Sequence, residues 1–225
     1  MLKTRLLATA ATLPLATVAF AQESGNTAYV GQQDTSNFAY LSQVGSNSGF
    51  VYQYGIQNVF LPLSGATPGD AQHDNNMLGV MQLGKYNFVG DDFLQSGANI
   101  GGIAQFGDSN IVNKFRQDGT GNRGAIFQGG DQNLAQNTQS GANNDAGIIQ
   151  VNPYEDTTGN FAFITQGPQG ITNPAGTIDT TGSFSGILQG GTNNLASIGQ
   201  KGQTVSDATI VQGGSGNKAY TSQSI

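Results

Sequence analysis

Few residues of this 225-residue chain could do covalent or acid–base chemistry. His73 is the one histidine and cysteine is absent, which excludes Cys–His nucleophiles, thiolate metal sites and a disulfide framework. A lone imidazole in a stretch rich in Asp and Asn reads as a solvated loop residue rather than a metal ligand. Asp91 and Asp92 supply the two carboxylates that general acid–base catalysis needs, but adjacent strand residues point to opposite faces and could not act on one atom without a bulge. Gly119, Gly121 and Gly124 spell a formal G-x-G-x-x-G, yet they span a turn and the segment after it, not a strand-to-helix junction that would hold a phosphate. Asp34, Asp108, Asp118 and Asp131 lack the regular spacing of calcium-binding nonapeptides and read as charges that keep turns soluble. The expectation is a chain that is not an enzyme and carries no cofactor or metal.

The abundant functional group is the carboxamide, and its spacing is regular. From Asn122 to Gln150 a seven-residue segment opening on Asn and closing on Gln occurs three times, separated by four-residue connectors with Gly second. Asn122, Asn133 and Asn144 open the three copies; Gln128, Gln139 and Gln150, eleven residues apart, close them. A short fixed period indicates one supersecondary unit copied and stacked. Looser copies run from Asn26 to Gln32, Asn37 to Gln43, Asn47 to Gln53 and, degenerate, Asn58 to Ser64. Asn76 to Gln82, an irregular Val89 to Gln95, Asn99 to Gln105 and Ile111 to Gln117 follow. After the triplet come Asn160 to Gln166, Ser183 to Gln189, Asn194 to Gln200, Ser206 to Gln212 and Asn217 to Gln223, sixteen units in all.

Within each unit positions 1, 3, 5 and 7 form one class: Asn or Ser, then mostly Ala or Gly, then mostly Ile, Val or Leu, then Gln. Positions 2, 4 and 6 form a second, mixed class. A period of two is the period of a strand, so the first class is the inward face. Two strands and two turns make a rung, and about eight rungs make an all-β solenoid with cross-β stacking. Inward amides are costly unless partnered. Rungs about 4.8 Å apart let each amide donate to its copy on one side and accept from its copy on the other. The expected ladder and assembly residues are therefore Asn26, Gln32, Asn37, Gln43, Asn122, Gln128, Asn133, Gln139, Asn144, Gln150, Asn194, Gln200, Gln212, Asn217 and Gln223. Counting back from Gln95 turns Asp91 and Phe93 inward, so a bulge or local disorder is expected there. Insertions are expected at 65–75, 151–159 and 167–182; Pro68, Pro153, Pro168 and Pro174 lie in them and Pro62 just before, and proline cannot donate to a central ladder.

Composition fits such a stack better than a globule. There are 34 Gly, no Trp and 10% charged residues, too little large apolar volume for a thick core and too little charge for a disordered polyelectrolyte. Residues 1–21 read as a secretory signal peptide: Lys3 and Arg5, an apolar run from Leu6 to Phe20, and Ala19-Phe20-Ala21 as the cleavage site. Removal leaves six basic against 14 acidic residues, a net charge of −8, which does not suit nucleic-acid binding. No transmembrane segment is expected in the mature chain.

Gln128-x-Gly130-x-x-Asn133-x-Ala135-x-x-x-Gln139, with matching runs at Gln189 to Gln200 and Gln212 to Gln223, resembles the curlin repeat of curli subunits, the secreted bacterial functional amyloids. Looser copies extend the resemblance over residues 26–223. It implies export through the periplasm and a dedicated outer-membrane channel, templating by a nucleator subunit, and polymerisation into extracellular fibres for biofilm cohesion and adhesion. The chain departs from the family in having only residues 22–25 between leader and first repeat, and in its three insertions. With four residues before Asn26 and two after Gln223, the terminal rungs are expected to be uncapped and to stack copy on copy. The alternatives are a minor or nucleator subunit, or a monomeric solenoid adhesin or ligand-binding module; the mixed outward class disfavours the last.

Overall fold

Alternation of period two becomes strand nearly everywhere in the computed structural model. It describes residues 5–10, 16–22, 25–64, 67–68, 72–153, 158–167, 180–201 and 205–224. Side chains of 5–22, of His73 and of Asp91 lie outside the described residues, as does most of the interior of the three expected insertions. Among the described residues there is no helix, and two parallel sheets stack face to face as a β-solenoid.

The first sheet runs Arg5–Ala10, Thr27–Gln33, Ser48–Ile56, Met77–Lys85, Ile100–Phe106, Arg123–Gly129, Asp145–Val151, Phe184–Thr192, Asp207–Ser215. The second runs Ala16–Gln22, Phe38–Val44, Val59–Leu61, Phe88–Ser96, Ile111–Thr120, Leu134–Ala142, Phe161–Gln166, Leu195–Lys201, Lys218–Ser224. The first strand of each sheet lies before the first repeat, at Asn26, so the repeats supply eight two-strand rungs. Identical positions stack: Ile103, Ile126 and Ile148 are successive Cα partners, as are Gln105, Gln128 and Gln150.

The core is one side chain thick from each sheet. Val30, Val51, Val80, Ile103, Ile126, Ile148, Ile187 and Ile210 form its central column on the first sheet, all buried. Small residues beside that column make room for larger ones opposite. A Cβ on Gly49 would stand 2.7 Å from Cδ2 of Leu41, and one on Gly101 would stand 2.9 Å from Cε1 of Phe115. Glycine at these two positions is thus a packing requirement set by the facing sheet. Phe115 continues an aromatic run, stacked on Phe93 at 5.4 Å, with Phe93 edge-on to Phe60 at 5.4 Å.

Strand counting slips in the second sheet, and bulges absorb the difference. Phe88–Val89 pair with Ile111–Val112, then Asp92 pairs with Lys114; Val112 pairs with Ala135, then Lys114 with Gln136. One strand carries one extra residue relative to the next, twice over, so each level releases a single bulged residue. Phe93 is inward as expected. The rungs begin at the buried Asn87 and Asn110 rather than at Val89 and Ile111.

The first insertion also differs from expectation. The chain leaves the sheet after Leu61, makes an antiparallel pair of Leu63–Ser64 with Thr67–Pro68, and returns at Gln72–His73. Gln72 lies in register between Gln43 and Gln95, so it, not Ser64, closes the rung. In the third insertion Thr180–Thr181 rejoin the second sheet beside Gly141–Ala142.

Corners stack as closely as strands do. Gly84 and Gly107 hold φ of +123° and +103°, and a Cβ on either would run into the carbonyl oxygen of the next corner, Gly107 or Gly130. Both the left-handed backbone and the approach require glycine there.

Neighbouring glycines at 101 and 102 give a test of this packing. Gly101→Ala is expected to destabilise by about 1 to 3 kcal/mol through overpacking against Phe115. A Cβ at Gly102 meets nothing within 4 Å, so Gly102→Ala is expected to stabilise by about 0.5 to 1 kcal/mol by removing strand-glycine entropy. Guanidinium unfolding midpoints of the two variants check the opposite signs.

Candidate functional site: four amide ladders and their ends

Each strand of the repeats begins after an Asn, with Ser183 and Ser206 taking its place in the last two strands of the first sheet, and carries or leads to a Gln at its end, because both lie in the inward class. In the first sheet Gln32, Gln53, Gln82, Gln105, Gln128, Gln150, Gln189 and Gln212 form one ladder, each Nε2 donating to the Oε1 of the following rung at 2.5 to 3.1 Å. In the second sheet Gln43, Gln72, Gln95, Gln117, Gln139, Gln166, Gln200 and Gln223 do the same at 2.7 to 3.1 Å. These Nε2 groups also donate across the core: Gln128 to the Ile111 carbonyl at 3.1 Å, Gln139 to that of Arg123 at 2.9 Å. One carboxamide therefore joins rung to rung and sheet to sheet.

The Asn ladders run with the opposite polarity. The backbone N–H of each Asn donates to the Oδ1 of the preceding rung, through Asn37, Asn58, Asn87, Asn110, Asn133, Asn160, Asn194 and Asn217, at 2.9 to 3.2 Å. Asn26, Asn47, Asn76, Asn99, Asn122 and Asn144 form the counterpart in the first sheet at 2.9 to 3.0 Å. That series ends where the repeat carries Ser: the Ser183 N–H donates to Asn144 Oδ1 at 3.2 Å, while Ser183 Oγ is buried without a partner. Asn side chains also fasten the corners, Asn110 Nδ2 donating to the Gly130 carbonyl at 2.7 Å.

All fifteen ladder residues expected from the repeat lie on these four ladders. Asn26, Gln32, Asn37, Gln43, Asn122, Gln128, Asn133, Gln139, Asn144, Gln150, Asn194, Gln200 and Gln212 are buried. Asn217 is exposed and Gln223 half-buried, in the last described rung. Sequence counting missed Gln72, Asn87 and Asn110. The pair Asn87–Gln95 was disguised by two extra residues and Asn110–Gln117 by one; a search for Asn and Gln flanking an elongated unit would have found them.

Polarity makes the two ends of the stack unlike. At the first repeat rung the ladders require donors for Gln Oε1, and Gln43 Oε1 is buried with no hydrogen-bond partner. The strand Ala16–Gln22 lies against it with Ala21 opposite Gln43, and an alanine has no side-chain amide to offer. At the last rung Gln223 Oε1 accepts from Gln200, while its Nε2 donates at 3.0 Å to the Asp207 carbonyl, an exposed bond.

The residues singled out for chemistry are not brought together. Asp92 is outward and ion-paired with Lys114 at 2.8 Å, a half-exposed contact worth about 1 kcal/mol or less. Gly119 and Gly121 are corner residues, whereas Gly124 faces inward against Asn137. The connector aspartates have a bonding role beyond solubility: Asp131 Oδ1 accepts the Asp108 N–H at 2.8 Å and Asp108 Oδ1 accepts that of Lys85 at 2.9 Å. His73 pairs by its backbone with Val44 and Ser96. Among the described residues no group of three or more His, Cys, Asp or Glu could hold a metal ion.

Gln128→Glu tests the ladder with little change of shape. A carboxylate there still accepts from Gln105 but cannot donate to Gln150 Oε1 or the Ile111 carbonyl, whereas the protonated acid restores one donor. Burial and these acceptors raise the folded pKa of the new acid above its unfolded value of about 4.3. The variant should be closest to wild type below pH 4 and lose stability as pH rises through that value and above it. Unfolding midpoints measured from pH 3 to 7 check this direction against wild type. In comparisons with known proteins, the chain matches no family model, no curated protein and no solved structure.

Proposed function

We propose that the chain is a structural subunit of extracellular, curli-like amyloid fibres, acting in biofilm matrix and surface adhesion, and that copies stack rung on rung along the solenoid axis. The observation that carries this reading is the buried Gln43 Oε1, which has no hydrogen-bond partner and whose residue lies opposite Ala21. A buried acceptor without a donor costs about 1 to 3 kcal/mol. Removal of residues 1–21 uncovers that acceptor, and a preceding copy can then supply its donor: its Gln223 Nε2 to Gln43 and its Gln212 Nε2 to Gln32, while the Asn37 N–H donates back to its Asn217 Oδ1. Each of these bonds repeats one already present between rungs.

In this reading residues 1–21 are a secretory leader whose removal uncovers the first repeat rung. The subunit travels through the periplasm to an outer-membrane channel and is templated at the surface by a nucleator of the same repeat. The curlin-like spacing of Gln128 to Gln139, Gln189 to Gln200 and Gln212 to Gln223 supports the family reading. The net charge of −8 without residues 1–21 disfavours nucleic-acid binding.

Residues 22–225, purified and seeded, are expected to grow fibres that bind an amyloid dye and diffract near 4.8 Å along the axis. The chain retaining residues 1–21 should show a longer lag. A product of 22–225 that stays monomeric and soluble under seeding contradicts the proposal.

A further inference from the structure

The outward positions, mixed when read along the sequence, separate into two unlike faces. Of the sixteen exposed large hydrophobics among the described residues, twelve lie on strands of the first sheet and two on the second. The second face instead carries Asp92, Lys114, Arg116 and Lys218. On the first face Met77, Ile149 and Leu188 stand 56%, 45% and 44% exposed. A contiguous apolar surface of this kind marks an interface or a ligand site.

The apolar face has a shaped centre. Gly79, Gly102, Ala125 and Gly147 occupy one outward column on successive strands and floor a trough of about 510 Å³. A Cβ at Gly79, Gly102 or Gly147 would meet nothing within 4 Å. One end is closed by Phe50, stacked on Tyr29 at 5.1 Å. Beyond the other, Phe184 lies over Gly186, its ring 3.4 Å from the Cβ that residue lacks. Beside the floor, two residues further along each strand, runs a ridge: Met81, Ala104, Phe127, Ile149.

We propose that this face is where a second copy of the chain docks, sheet against sheet, about a two-fold axis parallel to the stack. That operation, placed between the two columns, sets each ridge residue over the trough residue of the other copy at the same level. Met81 then meets Gly79, Phe127 meets Ala125 and Ile149 meets Gly147, and the same contacts recur in reverse, as an isologous interface requires. Phe184 comes opposite Gly190, where a Cβ would also meet nothing. Arg123 and Asp145 fall at the rim, in reach of water. Eight levels at about 4.8 Å and strands about 20 Å long give roughly 700 Å² per copy, or about 1,400 Å² for the pair. Stable interfaces bury about 1,200 to 2,000 Å². Among the described residues the second face has no such exposed apolar column, and the Asp92, Lys114 and Arg116 cluster interrupts it, so association closes at two. Face pairing is independent of end-to-end stacking.

Gly102→Lys tests the pairing, with Gly199→Lys as control; Gly199 is outward on the second sheet and equally open. Fibres of the purified protein are weighed for mass per length by scanning transmission microscopy, and soluble protein by sedimentation equilibrium. Wild type and Gly199→Lys are expected to show two chains per level, and Gly102→Lys half that mass per length with the 4.8 Å reflection retained. Two chains per level in Gly102→Lys overturns the proposal, as does a twofold loss in both variants. A single-chain wild type whose trough instead binds palmitate would assign the face to an aliphatic ligand and likewise overturn it. If no fibres form, rung stacking fails while dimer loss on Gly102→Lys in solution still supports pairing, and a monomeric wild type refutes it.

Discussion

A carboxamide taken out of water has to find both a donor and an acceptor, and in this protein the partner that every inward Gln shares is its own copy one rung away. An unpaired buried amide group costs about 1 to 3 kcal/mol, against a net gain of about 0.5 to 1.5 kcal/mol for a bond made. Gln128 and Gln150 are fully buried, so a strand slipped by one residue along its length would turn them outward and leave the amides of neighbouring rungs without partners. The amides fix register; the aliphatic column supplies cohesion around them.

That constraint propagates outward. Strands must start and end at the same height, so extra residues in Phe88–Ser96 and Ile111–Thr120 are expelled as bulges and not carried as a shift. Corners must approach as closely as strands, so Gly84 and Gly107 stand where a methyl would meet a carbonyl. An insertion as long as the first is accommodated because Gln72 returns to the ladder between Gln43 and Gln95 at 2.7 and 3.0 Å. The ladders also give the stack direction. Gln donors point toward the last rung and Asn donors toward the first, which leaves complementary ends on a single solenoid.

Strand period, solenoid class and inward amides were legible in the sequence because residue type repeats at fixed spacing wherever burial forces it. Asn122 to Gln150 carried most of that information. What escaped was set by geometry rather than type. Ser64 sits at the right count but offers no carboxamide to bridge two glutamines, and only the folded chain brings Gln72 to its place. Asn87 and Asn110 were hidden by bulges that leave no mark in composition. The two outward faces were invisible because alternate units belong to alternate sheets; reading positions 2, 4 and 6 along the chain mixes Ile149 and Leu188 with Lys114 and Lys218.

Hydrogen exchange of the side-chain amides reports most directly on whether the ladders hold the stack. The Nε2 protons of Gln128 and Gln150 should exchange as slowly as the backbone N–H groups of Ile126 and Ile148, opening only with the rungs themselves, while those of the outward Gln136 exchange freely. Exchange at Gln128 as fast as at Gln136 would mean that the inward amides are not bonded rung to rung, and would contradict the structure's central interaction.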